Sequence, residues 1–506
     1  MITKWWPQVV LASMSLVLET GACSRTKEVH QPPPLPAGEV KVNWDRVVAV
    51  SKTTPTLQVV PNAQLRRGSR IHDPAFQALK ELGADYVRYA PWVCYPKLGV
   101  AELEPPKDGK TSWDFSLIDP IIEDFMNATS PHPVVINFST IPEWMLKIEK
   151  PTPYPADPDQ VTWDYEKGTE LRDSSLKEAA DYYARLVSWY TQGGFTDEFG
   201  KRHASGHHYK IDYWEVLNEV EMEHQMTPET YTRVYDAVVE AIHRVDPRIR
   251  FIGHDLAGTA KEYFEYFLNH KNHKPGIPID MISYHFYARP TPDQTPEVTQ
   301  YTCWEQADHF LEVVEYIQNI RARLSPETQT DVDELGTISA NDHEHTPGGE
   351  QIPNSYWNLS GSMYAYLYAE LAKRGVEVAG VSQLDGYPTQ YPSVSMVDWN
   401  TGQPNARYWV LKLLRDNFGP GDKMVDTHLD SPYVYAQAFL TPQGQRRLLV
   451  LSKRNRPFSV SIAGSQGAEV SYVDQTTGFQ PPASASLTGN QLTLRGFEVA
   501  VVNLSK

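Results

Sequence analysis

The chain has 506 residues, enough to bury a large core and to hold more than one domain. Its 22% charged and 41% hydrophobic residues are the balance of an ordinary soluble globular protein. A net charge of −17 argues against a nucleic-acid surface, because phosphate binding needs concentrated Lys and Arg.

At the N-terminus, Lys4 precedes an apolar run from Val9 to Leu18 that is too short to span a bilayer comfortably. Small residues follow at Thr20, Gly21 and Ala22, then Cys23, and the whole reads as a secretory leader over residues 1–22. Cys23 resembles the lipid-modified cysteine of a bacterial lipoprotein, so two outcomes are open: cleavage and secretion, or attachment to a membrane through lipidated Cys23. The Pro-rich stretch from Gln31 to Pro36 lies in a stiff tether over 23–40. The mature part keeps only Cys94 and Cys303, which form either one disulfide or two buried thiols.

From about residue 75, helical and strand periods alternate. Phe76 to Leu82 is a short helix closed by Gly83, and Tyr86 to Tyr89 a strand. Leu117–Met126 is a helix and Val134–Phe138 a strand; Ser174–Tyr190 is a helix and Ile211–Leu217 a strand. A helix from Pro228 to Val245, opened by Thr227, precedes the strand Ile249–Gly253. Ala260–Leu268, Asp308–Leu324, Tyr356–Lys373 and Ala406–Phe418 are the remaining helices, interleaved with strands at Ile279–His285, Gln329–Glu334 and Val376–Leu384. For the first strand, Arg46–Val50 and Leu57–Val60 compete.

Eight such units close into a (β/α)8 barrel over 41–420, with part of 41–60 able to add a strand to the C-terminal β-domain. An open doubly wound sheet is the alternative, but no Gly-rich phosphate loop follows the early strands. After residue 421 short alternating runs separated by Gly, Asn and Pro read as a small C-terminal antiparallel β-sandwich over 421–506.

In such a barrel the active site lies at the C-terminal ends of the strands. There the fourth strand delivers Asn218-Glu219 and the seventh Asp333-Glu334. Glycoside hydrolysis needs two facing carboxyl groups, one protonated and one ionised. Neighbours on a strand face opposite sides, so Asn218 and Glu219 share a site only if the strand bulges. The same alternation turns Asp333, the rival to Glu334, outward. Glu215 shares the parity of Glu219 and is either a buried structural partner or a second site carboxylate. Arg88 or Tyr287 would hold Glu334 ionised, although Arg88 equally suits a barrel-floor ion pair. With 13 Trp and 28 Tyr, aromatics are plentiful for stacking on sugars, and Trp144 and Trp399 are the platform candidates. On the loop after Glu219, Glu221, Glu223 and His224 either bind substrate or are solvated.

These motifs resemble those of the clan A retaining glycoside hydrolases, most closely glycoside hydrolase family 39, home of β-xylosidases and α-L-iduronidase. The resemblance spans roughly 70–420. It implies Glu219 as acid/base, Glu334 as nucleophile, Asn218 on the sugar 2-hydroxyl, and Ser283 to Tyr287 as the sixth-strand segment with His285 and Tyr287 near substrate. Val220 departs from the pattern, standing where many members carry Pro.

The expected function is therefore a secreted or lipid-anchored retaining glycosidase with no cofactor, acting on an oligosaccharide, polysaccharide or glycoconjugate. A β-xyloside is the first substrate and a uronide, read by Arg289 or Lys147, the second; a transglycosylase on the same barrel is an alternative. A non-catalytic carbohydrate-binding protein is the rival from another class, and retention of both glutamates and Asn218 argues against it. No metal is expected: His203, His207 and His208, like His343 and His345, cluster in polar loops without ligand spacing on a regular element. A serine hydrolase is excluded by the lack of a Gly-x-Ser-x-Gly elbow.

Overall fold

A computed structural model describes residues 33–149, 154–162, 170–340, 342, 352–386 and 391–505. The leader, Cys23, the first part of the tether, and His343 and His345 lie outside these residues.

Eight strands form a closed, all-parallel barrel: Thr54–Val59, Val87–Tyr89, Val134–Ile136, Tyr213–Glu215, Arg250–Leu256, Met281–Ala288, Gln329–Thr337 and Val378–Val381. They are counted here from first to eighth. The competition for the first strand is settled by burial. All six residues of Thr54–Val59 are buried, as a strand covered on both faces must be, whereas Val47, Val48 and Val50 are about half exposed. The earlier segment belongs to a long strand, Leu35–Val50, that pairs antiparallel with Lys423–His428 and parallel with Phe458–Ile462.

It thereby joins a nine-stranded sheet made otherwise from the C-terminal region. The expected antiparallel character holds for every pairing of that sheet except the one between Leu35–Val50 and Phe458–Ile462, so the sheet is mixed. Phe458, Val460, Leu492 and Leu494 share one buried cluster with Ala436, Leu448, Val450, Ala500 and Val502, so two parts of the sheet close over a common core.

The helices follow from local chemistry. The Thr227 hydroxyl accepts the Thr230 N–H at the start of Pro228–Val245, and Gly83 ends His72–Leu82 in the left-handed conformation at φ +60°. The helix after the sixth strand begins at Pro296, well before the expected 308. Its first turns, carrying Glu297, Thr299 and Gln300, are polar, and the buried stripe starts only at Cys303. Cys94 and Cys303 are both buried and form no disulfide with each other. Among the described residues no helix is long and apolar enough to cross a membrane.

Candidate active site

The fourth strand ends at Glu215, and the chain then turns sharply. Leu217 and Glu219 sit in the left-handed region, at φ +65° and +42°. The Glu219 N–H donates to the carbonyl of Asp255 at 2.7 Å, and a single helical turn, Val220–Glu223, follows. This double kink, rather than a bulge, lets Asn218 and Glu219 line the same cavity.

On the seventh strand the register slips between Asp331 and Glu334 against the sixth strand, and between Val332 and Leu335 against the eighth. The slip turns both Asp333 and Glu334 inward, so the outward orientation expected for Asp333 is wrong. Asp333 is 2% exposed, with Oδ2 3.2 Å from Arg88 Nε. Gly380 accommodates the displaced backbone: a Cβ there would stand 2.8 Å from the Asp333 carbonyl oxygen.

Glu219 and Glu334 face each other. An oxygen of each, with a ring nitrogen of His285, lies within 4.8 Å of the others. His285 Nδ1 is 3.1 Å from Glu219 Oε1 and 3.6 Å from Glu334 Oε2. Tyr287 donates to Glu334 Oε2 at 2.6 Å, and Arg88 Nη1 to Glu334 Oε1 at 2.8 Å. The pocket above them, about 760 Å³ including its open mouth, is lined also by Gln58, Trp92, Met222, Arg289, Gln383 and Tyr391.

Beneath the cavity Arg88 is the hub. It donates to Glu215 (2.5 Å), to Asn218 Oδ1 (2.8 Å), and to Gln58 and Asp255. Ser283 and Asn137 also donate to Glu215, at 2.7 and 2.9 Å. Glu215 is thus a buried structural partner. Two cations serve more carboxylates than they can neutralise, and the groups divide accordingly. Burial outweighs the opposing charges at Asp331 and Asp333 and pushes both well above the usual carboxylate range. Glu334 goes the other way. Against the cost of burial, the charges of His285 and Arg88 and the Tyr287 hydrogen bond hold it below its ordinary value. Burial opposes a charge on His285, but Glu334 and Asp255 raise its pKa well above the usual imidazole value.

Among the described residues two triplets, Glu219–His285–Glu334 and Asp255–His285–Asp333, are close enough to hold a metal ion. Both rely on His285, where a proton and a metal would compete for the same ring nitrogens.

The sequence profile of glycosyl hydrolases family 39 matches residues 29–343. The chain belongs to this family. Its Val220, in place of the usual Pro, opens the helical turn after Glu219. Solved structures with the same fold include a family 51 arabinofuranosidase from Xanthomonas axonopodis pv. citri, 14% identical, covering 92% of this chain and 99% of that one with a TM-score of 0.63. A monomeric β-xylosidase from Caulobacter crescentus is 14% identical over 93% of this chain and 99% of its own, at a TM-score of 0.60. A family 30 endoxylanase from Clostridium papyrosolvens is 15% identical over 92% and 100%, at 0.56. No match was found among curated proteins.

In this family 39 glycosidase the expected site residues divide into three groups. Glu219, Glu334, Asn218 and Tyr287 line the cavity. Arg88 and His285 do not: both are buried behind the glutamates and act on them, so neither is placed to touch substrate. Trp144 and Trp399 are not among the residues that line the cavity. Trp144 instead donates to the Glu102 carbonyl at 2.8 Å with Arg172 over its ring, and Trp399 packs against the core.

Besides Tyr287, the aromatic side chains lining the cavity are Trp92 and Tyr391, with ring centroids 5.8 Å apart. Trp92 stands three residues past the end of the second strand, a position that could have flagged it. Nothing local marks Tyr391. Glu223 is buried rather than solvated: it accepts from Trp92 Nε1 at 2.5 Å and from Asn218 Nδ2 at 3.1 Å. His224 is buried too.

Proposed function

We propose that this glycosidase cleaves a β-xyloside or closely related β-glycoside by double displacement, with Glu334 as nucleophile and Glu219 as acid/base. The observation that carries the reading is the approach of the two carboxylates to within 4.8 Å, with Glu334 held ionised. Retaining enzymes keep their carboxyl groups about 5–5.5 Å apart, whereas inverting enzymes leave about 6.5–9.5 Å for a water. Glu334 attacks the anomeric carbon, Glu219 protonates the departing oxygen, and Glu219 then takes a proton from the water that releases the sugar. Asn218 serves the 2-hydroxyl: its Nδ2 carries two hydrogens, and Glu223 takes one. Trp92 and Tyr391 supply stacking faces. The pentoside reading is supported by the family and by a fold shared with a β-xylosidase and an endoxylanase.

A uronide is the second reading, favoured by Arg289. Its guanidinium lines the cavity, lies over the Tyr287 ring at 5.6 Å, and has no carboxylate partner among the described residues. Lys147, the other candidate, pairs with Glu170. A transglycosylase uses the same residues and is distinguished by sugar transfer to an added acceptor. Export is part of the proposal: residues 1–22 direct secretion, and Cys23 either carries a lipid or is simply the new N-terminus. Labelling with radioactive palmitate, lost in Cys23→Ala, separates those outcomes.

The test is a panel of aryl glycosides assayed with the wild type and Glu334→Ala. Turnover of one sugar, abolished in the variant, supports the assignment and names the substrate. Turnover that survives in the variant overturns it.

A further inference from the structure

His285 has contacts that general acid, base and nucleophile chemistry leave unused. Its Nδ1 faces both glutamates at once, 3.1 Å from Glu219 and 3.6 Å from Glu334. Its Nε2 is hydrogen-bonded to Asp255 Oδ1. The other titratable groups that act on the ring come from every strand around it. Glu215 belongs to the fourth strand and shares the donors Arg88 and Asn137 with Asp255, the ring's partner; Asp331 and Asp333 come from the seventh, with Asp333 Oδ1 3.7 Å from Nε2. Tyr287 is its neighbour on the sixth strand, and Arg88, from the second, is the opposing cation on Asp255 and Glu334.

Asp255 reaches this position through unusual backbone. It follows His254, and both lie in the left-handed region, at φ +50° and +79°. The register of the fifth strand against the sixth slips at the same point. Side chains with a Cβ adopt this region at a cost, and such strain persists where surrounding contacts over-determine it. Here the contacts are plain: Asp255 accepts from Arg88, Asn137 and His285, and its carbonyl accepts the Glu219 N–H.

We infer that the His285 imidazolium, oriented by Asp255, stays in place through the reaction while its negative partner changes, from Glu334 in the free enzyme to Glu219 in the glycosyl-enzyme. The inference rests on the roles proposed above for the two glutamates. In the first step a carboxylate oxygen of Glu334 bonds to the anomeric carbon and the bond to the leaving oxygen breaks. The electron pair goes to that oxygen, which takes the proton of Glu219. Glu334 becomes a neutral ester and Glu219 a carboxylate. In the second step Glu219 takes a proton from water, the water oxygen bonds to the anomeric carbon, and the ester electron pair returns to Glu334.

The two glutamates together carry one negative charge before and after each step. A fixed cation within reach of both serves each charge distribution without moving and without exchanging its own proton. Such preorganised charge needs no reorientation during the reaction. Asp255 and His285 are positioning residues in this scheme.

Three measurements test it. Trapping with a 2-deoxy-2-fluoro aryl glycoside of the sugar that turns over, followed by peptide mapping, should place the label on Glu334. A label elsewhere overturns the assignment and the inference with it. The ring nitrogens of His285 are then followed by ¹⁵N NMR in the wild type, free and trapped, at the pH of maximal activity. Both should stay protonated in both states, and a neutral ring in either overturns the inference while leaving the assignment intact.

In Asp255→Asn the His285 ring, followed by the same ¹⁵N signals, should lose its proton at lower pH than in the wild type, and rates for both activated and poor leaving groups should fall by about tenfold or more. A rate loss with an unmoved ring titration would mean a merely structural role and overturn the proposal. If that variant fails to fold, the wild-type spectra still decide.

Discussion

At the end of the seventh strand, Glu334 is held by Arg88 from the second strand and Tyr287 from the sixth. At the end of the fourth, the only side chain that hydrogen-bonds the Glu219 carboxylate, among the described residues, is His285. The two glutamates share a cavity and the nearby His285, but the hydrogen bonds from Arg88 and Tyr287 to Glu334 have no counterpart at Glu219. A nucleophile must stay ionised, and several donors and charges achieve that against the cost of burial. A group that gives and takes a proton in turn is better left with few fixed partners, since each hydrogen bond to one form disfavours the other. The strand ends differ in the same sense. Glu334 enters on a regular strand through one slip of register, while Glu219 sits on left-handed backbone that hands it directly to a helical turn.

The sharpest way to break the comparison is to delete each carboxylate. Glu334→Ala should lower kcat roughly 10⁴-fold or more on every aryl glycoside, measured by release of the aryl group. An added small anion such as azide should restore turnover and give a product of the opposite anomeric configuration. Glu219→Ala should cost about 10²–10⁴-fold, and unequally: the loss should be largest for poor leaving groups, which need a proton, and smallest for activated ones.

The support beneath Glu334 has its own signature. Arg88→Met leaves Glu215, Asp255 and Asp333 without their main cation, and should destabilise the barrel by about 3–5 kcal/mol in thermal or denaturant unfolding. Tyr287→Phe removes one hydrogen bond to the ionised form of Glu334, so its pKa rises and the acid limb of kcat/KM moves to higher pH. The linked stability has the same sign. A carboxyl held below its unfolded value contributes above the ordinary carboxylate range and loses that contribution as pH falls through the native value. Tyr287→Phe should therefore shrink the stability lost on acidification.

The smallest effect concerns substrate alone. Trp92→Ala should raise KM by about five- to tenfold with a modest change in kcat, as truncation of a buried aromatic contact does. Trp144→Ala and Trp399→Ala should leave KM unchanged.

Much of this molecule was legible in the chain itself. Alternating periods announced the barrel because a parallel strand buried on both faces must be apolar throughout, and each strand must be followed by a helix that covers it. Glu219 and Glu334 could be chosen because a carboxylate that abruptly ends such a strand has few structural reasons to be there. Cues failed where polar residues open an element, as at Pro296, and where two apolar runs compete, as at 46–50 and 57–60.

The sequence by itself determined the elements, their order, the closed barrel and the pair of glutamates, because periodicity and strand-end chemistry are local properties. Only the tertiary structure decided which side chains meet. Asp255 and Asp333 turn inward through a strained kink and a slip of register, which strict alternation along a strand hides. Trp92 and Tyr391 reach the cavity through loops, with Glu223 on the helical turn hydrogen-bonded to Trp92, while Trp144 and Trp399 are led away from it. The ionisation of Glu334 was settled last of all, by His285 facing it on the adjacent strand and by Arg88 from the second strand, because charges act through space and not along the chain.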